Sequence, residues 1–392
     1  FEGNGTYYVA GNWTNDGTFD AGTSTVIFNG GAAQTIGGLA IGNNFYNINI
    51  ENTLGGVSLL TDQGITGTLT LTTGIFTTTG KVFTLISNVA GTARIAEITG
   101  GDITGNITMQ RYVTGNDGWR MLSGTVATNI EDWNGEFAMS GFPGTDQPDY
   151  TFSSFLKYDE SILGNKNQGF EEPSNTTDVL NAGQGFMAWI GDAPGDPITK
   201  TLELVGAPNK FAQALSPVYN DDPGQPASED GWNLVGNPYP STIDWDDAGW
   251  TKNASVNSYF NIWNDDHQHY EGWQTGFGAL SDAGAQYIPS MQGFWEQTNS
   301  NAPVPVLTAA ESVKSATDQP LFKQNPPGEI ILKFKITSPN GYSDEMYIRF
   351  MQDAIAGFEG DKDAFKLFSP SSLPPQISSI INDSLDLCLN SF

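Results

Sequence analysis

The sequence predicts an all-β protein: a β-helix or solenoid-like N-terminal module, then duplicated β-sandwich modules of jelly-roll type, then the start of an Ig-like β-domain. Three observations carry this. The apolar runs are short, rich in aromatic and β-branched residues, and cut by Gly, Asn, Asp and Pro, which is the chemistry of strands and turns. Charged residues make up only 15% of the 392 residues and no long Leu/Ala/Glu/Lys periodicity appears, so helix is a minority. Finally, a set of landmarks occurs twice in one order, the mark of an internal duplication.

Residues 1–112 form the first module. Val26-Ile27-Phe28, Tyr46 to Ile50, Leu69-Thr70-Leu71 and Val82 to Leu85 alternate apolar residues with Thr or Asn, and Gly-Gly, Asn-Gly or Thr-Gly separates them. Regular short strands of this kind read as rungs of a parallel β-helix, with an antiparallel sandwich as the alternative. A solenoid core is open at both ends, so a cap or further chain is required. Ile103 to Tyr112 is expected to be the strand that leaves this module.

Residues 113–205 and 231–308 are the two sandwich repeats. Gly118-Trp119-Arg120-Met121-Leu122-Ser123-Gly124 matches Gly231-Trp232-Asn233-Leu234-Val235-Gly236-Asn237, and Asp132-Trp133 matches Asp244-Trp245. Phe155-Leu156-Lys157-Tyr158 then matches Phe260-Asn261-Ile262-Trp263, and Gln184-Gly185-Phe186 matches Gln292-Gly293-Phe294. Trp119, Trp189, Trp232 and Trp295 stand at repeat or strand positions and are expected in the core, where a Trp buries a large area. Residues 206–230, with the polar run Asn220 to Pro226, are expected to be a linker loop, and 309–328 a second linker. In 329–392, Glu329 to Ile336 and Glu345 to Phe350 read as a strand pair turning at Ser338-Pro339-Asn340-Gly341. Leu385 to Leu389 reads as a late strand of a sheet completed by further chain, and Phe1 in place of an initiator Met fits a processed chain or a fragment.

Gly91 to Ile95, Gly105 to Tyr112, Gly118-Trp119-Arg120 and the phrase Gly-Trp-Asn-Leu-Val-Gly-Asn-Pro-Tyr-Pro-Ser at 231–241 together resemble large secreted surface proteins of the Bacteroidota. Asp344-Glu345 to Arg349-Phe350, Gly357-Phe358 and Asp363 to Leu367 extend the resemblance. In such proteins this region precedes a C-terminal sorting domain for type IX secretion, a domain not present here. The resemblance implies an extracellular or outer cell-surface location and brings no catalytic residues.

Sixteen basic residues against 44 acidic ones give a formal charge of −28, which repels nucleic acid and anionic membrane surfaces. No apolar run approaches the roughly 18 residues of a membrane span. A single cysteine, Cys388, excludes an intrachain disulfide. Neighbouring carboxylates such as Asp159-Glu160 and Glu171-Glu172 point to opposite faces of a strand, so they do not form a glycosidase pair. No nucleophile elbow, metalloprotease helix or phosphate loop occurs, and a non-enzymatic protein is expected.

Candidate binding residues lie in the loops. His267 and His269 alternate beside Asp265 but lack a further His for a transition-metal site. Calcium is the better match for this chemistry, with hard oxygen donors at Asp244, Asp246 and Asp247 and at Asp265 and Asp266. Further pairs are Asp192/Asp196, Asp221/Asp222 and Asp361/Asp363; none has EF-hand spacing, and clustered Asp is also plain turn chemistry. Trp250, Trp263 and Trp273 sit among Asn, Asp and Gly, where an exposed ring would stack on a sugar; local packing of the rings is the other reading, and the favoured one. The expected function is structural or adhesive: a surface adhesin, stalk or fibre subunit, self-assembling into a filament through strand edges. The alternative is a glycan-binding module, or the non-catalytic part of a secreted polysaccharide-degrading enzyme.

Overall fold

The computed structural model describes residues 3–38, 44–191, 197–265, 268–281, 285–317, 331–350, 354–355, 357–359, 362–381 and 385–391. Strands hold 47% of the chain and helical turns 3%, so the protein is all-β. Among the described residues no helix is long and apolar enough to cross a membrane.

The first module is a parallel β-solenoid of about four turns. On one face, strands Thr6–Val9, Thr25–Phe28, Asn47–Glu51, Thr68–Thr77 and Arg94–Ile95 stack in parallel. In-register pairing places Val26, Ile48, Leu69 and Ile95 in one buried column and Phe28, Ile50 and Leu71 in the next. The sequence alternation follows directly, because apolar residues of period two point inward and the intervening Thr and Asn point out. Where the chain bends between faces, buried amides replace the sheet bonds. Gln34 donates to the Val9 and Gly11 carbonyls (2.8 and 2.5 Å), and Asn52 donates to the Ala32 carbonyl (2.6 Å) and to Gln34 (3.0 Å).

The solenoid runs directly into the first repeat. Strand Ile107–Asn116 pairs in parallel with Phe83–Leu85 and, on its other edge, antiparallel with Pro197–Gly206 along its whole length. The boundary expected at residue 112 therefore lies inside a strand shared by both modules. The second repeat and the chain after it close the last turn: Ile95 N–H donates to the Pro240 carbonyl (2.9 Å) and Ile98 N–H to Glu311 (3.0 Å). This places the Gly-Asn-Pro-Tyr-Pro phrase over the end of the solenoid core.

Both repeats have the same sheet. The first runs Gly118–Ser123, Gly185–Ile190, Phe155–Tyr158, Phe170–Glu171; the second runs Trp232–Gly236, Gly293–Thr298, Val256–Asn264, His269–Gln274, Gly278–Ala279. The registers coincide residue for residue. Leu122↔Phe186 corresponds to Val235↔Phe294, Phe155↔Ala188 to Phe260↔Glu296, and Tyr158↔Phe170 to Trp263↔Tyr270. Even the acidic Trp step packs alike, with Trp133 edge-on to Phe186 (5.0 Å) and Trp245 edge-on to Phe294 (5.8 Å).

The two copies face one another about a local twofold. Leu122 bridges to Gln292, and the equivalent Val235 bridges to Gln184, the equivalent of Gln292. Such a reciprocal contact is the signature of an isologous interface, here within one chain. Tyr158 and Phe170 of the first repeat pack edge-on against Trp295 of the second (4.6 and 5.8 Å), and Trp263 N–H points at the Met121 sulfur (3.0 Å).

The C-terminal segment forms a mixed sheet on the second repeat. Strands Ile331–Thr337 and Ser343–Arg349 are a hairpin turning through Gly341 (φ 88°), and Asp386–Ser391 pairs in parallel with the second of them. Leu387, Cys388 and Leu389 share a core with Tyr259 and Trp295.

Candidate functional site

The acidic stretch Asp244 to Asp247 is a turn held by its own carboxylates. Asp244 accepts from Asp246 N–H (2.9 Å) and from Gln286 (3.0 and 3.1 Å), while Asp247 accepts from Gly249 N–H (2.7 Å). Asp246 accepts from the Trp273 indole N–H (2.9 Å) and the Thr275 hydroxyl (2.6 Å), tying the hairpin 269–279 to the turn. Asp265 accepts from the Trp263 indole (3.1 Å) and lies 3.7 Å from Arg120. Asp266 and His267 lie outside the described residues, as do Asp192, Asp196 and Asp361. Among the described residues no three His, Cys, Asp or Glu side chains gather as a metal-holding group. The carboxylates of Asp244, Asp246 and Asp247 thus serve the turn.

The tryptophans expected to meet a sugar are mostly inside. Trp250 and Trp263 are buried, at 8% and 7% exposure, against Trp245 and Tyr270 respectively. This corrects their assignment as exposed ligand-binding rings. The Asp/Gly-rich surroundings mark tight turns, and each turn folds its indole inward, Trp250 to donate to the Asp244 carbonyl (2.7 Å). Trp273 keeps part of its surface in solvent.

The exposed aromatic surface lies elsewhere, in the first repeat. Trp119 and Trp189 are cross-strand partners at an end of the sheet, with ring centroids 5.8 Å apart and planes at 87°. Phe152 completes a triad, 5.7 Å from each, perpendicular to Trp189. Both indoles are partly exposed and Phe152 is 40% exposed, so these rings meet solvent as an aromatic corner and the expectation that Trp119 and Trp189 are core is corrected. Arg120, the next residue on the strand and so on its other face, donates to the Trp119 carbonyl (3.3 Å) and lies 3.7 Å from Asp265.

Aligned with Trp119, Trp189 and Phe152, the second repeat holds Trp232, paired with Gln297, and Asn257, all buried. There Asn257 donates to Gln297 (3.4 Å), Gln297 donates to the Asp230 carbonyl (2.9 Å), and the Trp232 indole donates to the Ser228 carbonyl (2.8 Å). The segment before the second repeat covers this corner. The strand before the first repeat instead leaves to pair with Pro197–Gly206, so its corner stays open. The signal was present in the sequence: aligning the copies sets Trp189 and Phe152 against Gln297 and Asn257.

A second polar feature fastens the repeats together. Glu160 accepts from Asn220 N–H (2.8 Å) and Gly231 N–H (2.9 Å), Asp222 from Gly164 N–H (2.9 Å), and Glu229 from Lys166 N–H (3.0 Å). Burial, with Asp230 and Asp159 nearby, pushes the Glu160 carboxyl up to about 7, and burial pushes Asp230 up to about 6.

No curated protein and no solved structure matches the chain. A family match covers almost all of it: the chain belongs to the family described as Domain of unknown function (DUF8693), which residues 2–385 match.

Proposed function

We propose that this chain is a non-enzymatic structural or adhesive part of an extracellular surface protein, an adhesin or stalk carried to the cell exterior by type IX secretion. The observation that supports it most is the strand Ile107–Asn116, which makes solenoid and repeats one unbroken β framework rather than beads on linkers. Such a framework holds a surface site rigidly away from its point of attachment. The charge of −28 suits a solvated exterior and disfavours nucleic acid and anionic membrane as partners. Location and export rest on the resemblance to Bacteroidota surface proteins.

The test is incubation of the purified chain with polysaccharides and cell envelopes, scoring both retention and product. Retention with no new reducing ends or peptides is expected. Depolymerisation, lost when a single carboxylate is changed, would overturn the reading in favour of an enzyme. Growth into a fibre is a second reading, favoured because strand Thr6–Val9 is the terminal strand of its sheet among the described residues. The end of a solenoid sheet is where a strand from a second copy can add. Negative-stain images of concentrated protein separate fibres from single particles.

A further inference from the structure

We infer that the aromatic corner of the first repeat, Trp119, Trp189 and Phe152, is a carbohydrate-binding site for a neutral pyranose chain. This rests on the adhesive reading above and names the surface and the ligand class it would use.

Two copies of one fold carry opposite surface chemistry at this corner. In a β-sheet module, apolar residues are expected where the surface is covered and polar ones where it is wet. The corner reverses this: the covered copy has Gln297 and Asn257, and the open copy has Trp189 and Phe152. Covering explains the second repeat, since its amides bond to one another and to the covering segment. Among the described residues Trp189 and Phe152 remain partly exposed at the rim of the first repeat, and a ligand would account for them.

The ring geometry selects the ligand. Trp189 meets Trp119 at 87° and Phe152 at 90°, so the partly exposed rings stand at right angles rather than as one flat wall. A pyranose presents C–H groups on its faces and hydroxyls around its edge. It can lie with one face on an indole while its edge reaches polar groups, the usual use of an amphipathic aromatic at a surface. The charge of −28 repels a polyuronate or sulfated chain, which leaves a neutral one.

The experiment titrates the whole chain with cello-, xylo-, malto- and chito-oligosaccharides and with polygalacturonate, following tryptophan fluorescence and calorimetric heat. Two variants are compared: Phe152→Ala, and the double change Phe152→Asn with Trp189→Gln, which installs the residues the second repeat already folds with. A neutral oligosaccharide should bind with little salt dependence. Both variants should weaken it at least about tenfold, as for a central aromatic contact, with melting temperature near wild type. Trp273→Ala should leave affinity unchanged. Binding of polygalacturonate alone, or binding lost with Trp273→Ala and kept in the double variant, overturns the inference. So does a blank panel, or a concentration-dependent dimer that the double variant abolishes, which would make the corner a self-contact. In all these cases the adhesive reading still stands if envelope retention persists, whereas shortening of the oligosaccharides overturns that reading itself.

Discussion

Gly185 and Gly293 are equivalent residues whose identity is set by the other copy. A Cβ on Gly185 would lie 2.4 Å from the Val235 carbonyl oxygen, and one on Gly293 2.7 Å from that of Leu122. Gly185→Ala and Gly293→Ala should therefore each destabilise by about 1–3 kcal/mol. Gly31→Ala, with nothing within 4 Å of its Cβ, should stay within about 0.5 kcal/mol in the same denaturant titrations. Glu160 gives a prediction in pH. Its folded pKa of about 7 lies above the ordinary 4.5, so the folded state binds the proton more tightly. Its contribution to stability is thus full below pH 4.5 and lost as pH rises towards 7. Glu160→Gln mimics the protonated form, and its stability relative to wild type should rise between pH 5 and pH 8 in urea titrations. A relative stability that falls or stays level would contradict the assigned direction.

The Gly-Asn-Pro-Tyr-Pro turn shows how an element is fixed by one side chain. Buried Asn237 donates to the Ser241, Ile288 and Pro289 carbonyls (2.8, 3.0 and 2.9 Å) and accepts from Tyr239 N–H (2.9 Å). The turn so formed delivers the Pro240 carbonyl to Ile95 at the end of the solenoid, and the Tyr239 hydroxyl to the Phe211 and Ala309 carbonyls (2.6 and 2.8 Å). Asn237→Ala leaves several buried groups without partners and should cost about 2–5 kcal/mol. Hydrogen exchange should rise at the last solenoid turn, around Ile95, as well as at the turn itself. Exchange raised only at residues 237–241 would mean that the turn does not hold the solenoid end.

Over the whole molecule, Glu311 joins three parts of the chain. It accepts from Ile98 N–H in the solenoid, from Phe211 N–H after the first repeat (2.5 Å), and pairs with Lys314, whose side chain is fully buried (2.5 Å). Glu311→Ala strands a buried ammonium and should cost about 3–5 kcal/mol. Because solenoid and repeats share a sheet, wild type should unfold as one calorimetric transition, and Glu311→Ala should lower it or split it in two. Two transitions already in wild type would mean that the shared strand does not couple the modules.

The solenoid alternation, the two repeats and their matched landmarks were legible because period-two patterning and a repeated phrase are local properties of the chain. The turn role of the acidic residues was legible too, as the ordinary chemistry of Asp beside Gly. Exposure was not. Trp250 and Trp263 read as surface residues and are buried, while Trp119 and Trp189 read as core and are partly exposed. Both copies carry Gly-Trp at the same register, yet only one has its Trp covered. What covers it is the segment directly before the second repeat, Ser228 to Asp230, whereas the strand before the first repeat, Ile107–Asn116, leaves to pair with Pro197–Gly206. Sequence by itself determined the all-β class, the duplication and the residues that make each turn. Only the tertiary structure decided which faces meet water, because burial depends on long-range packing that neither period nor motif encodes.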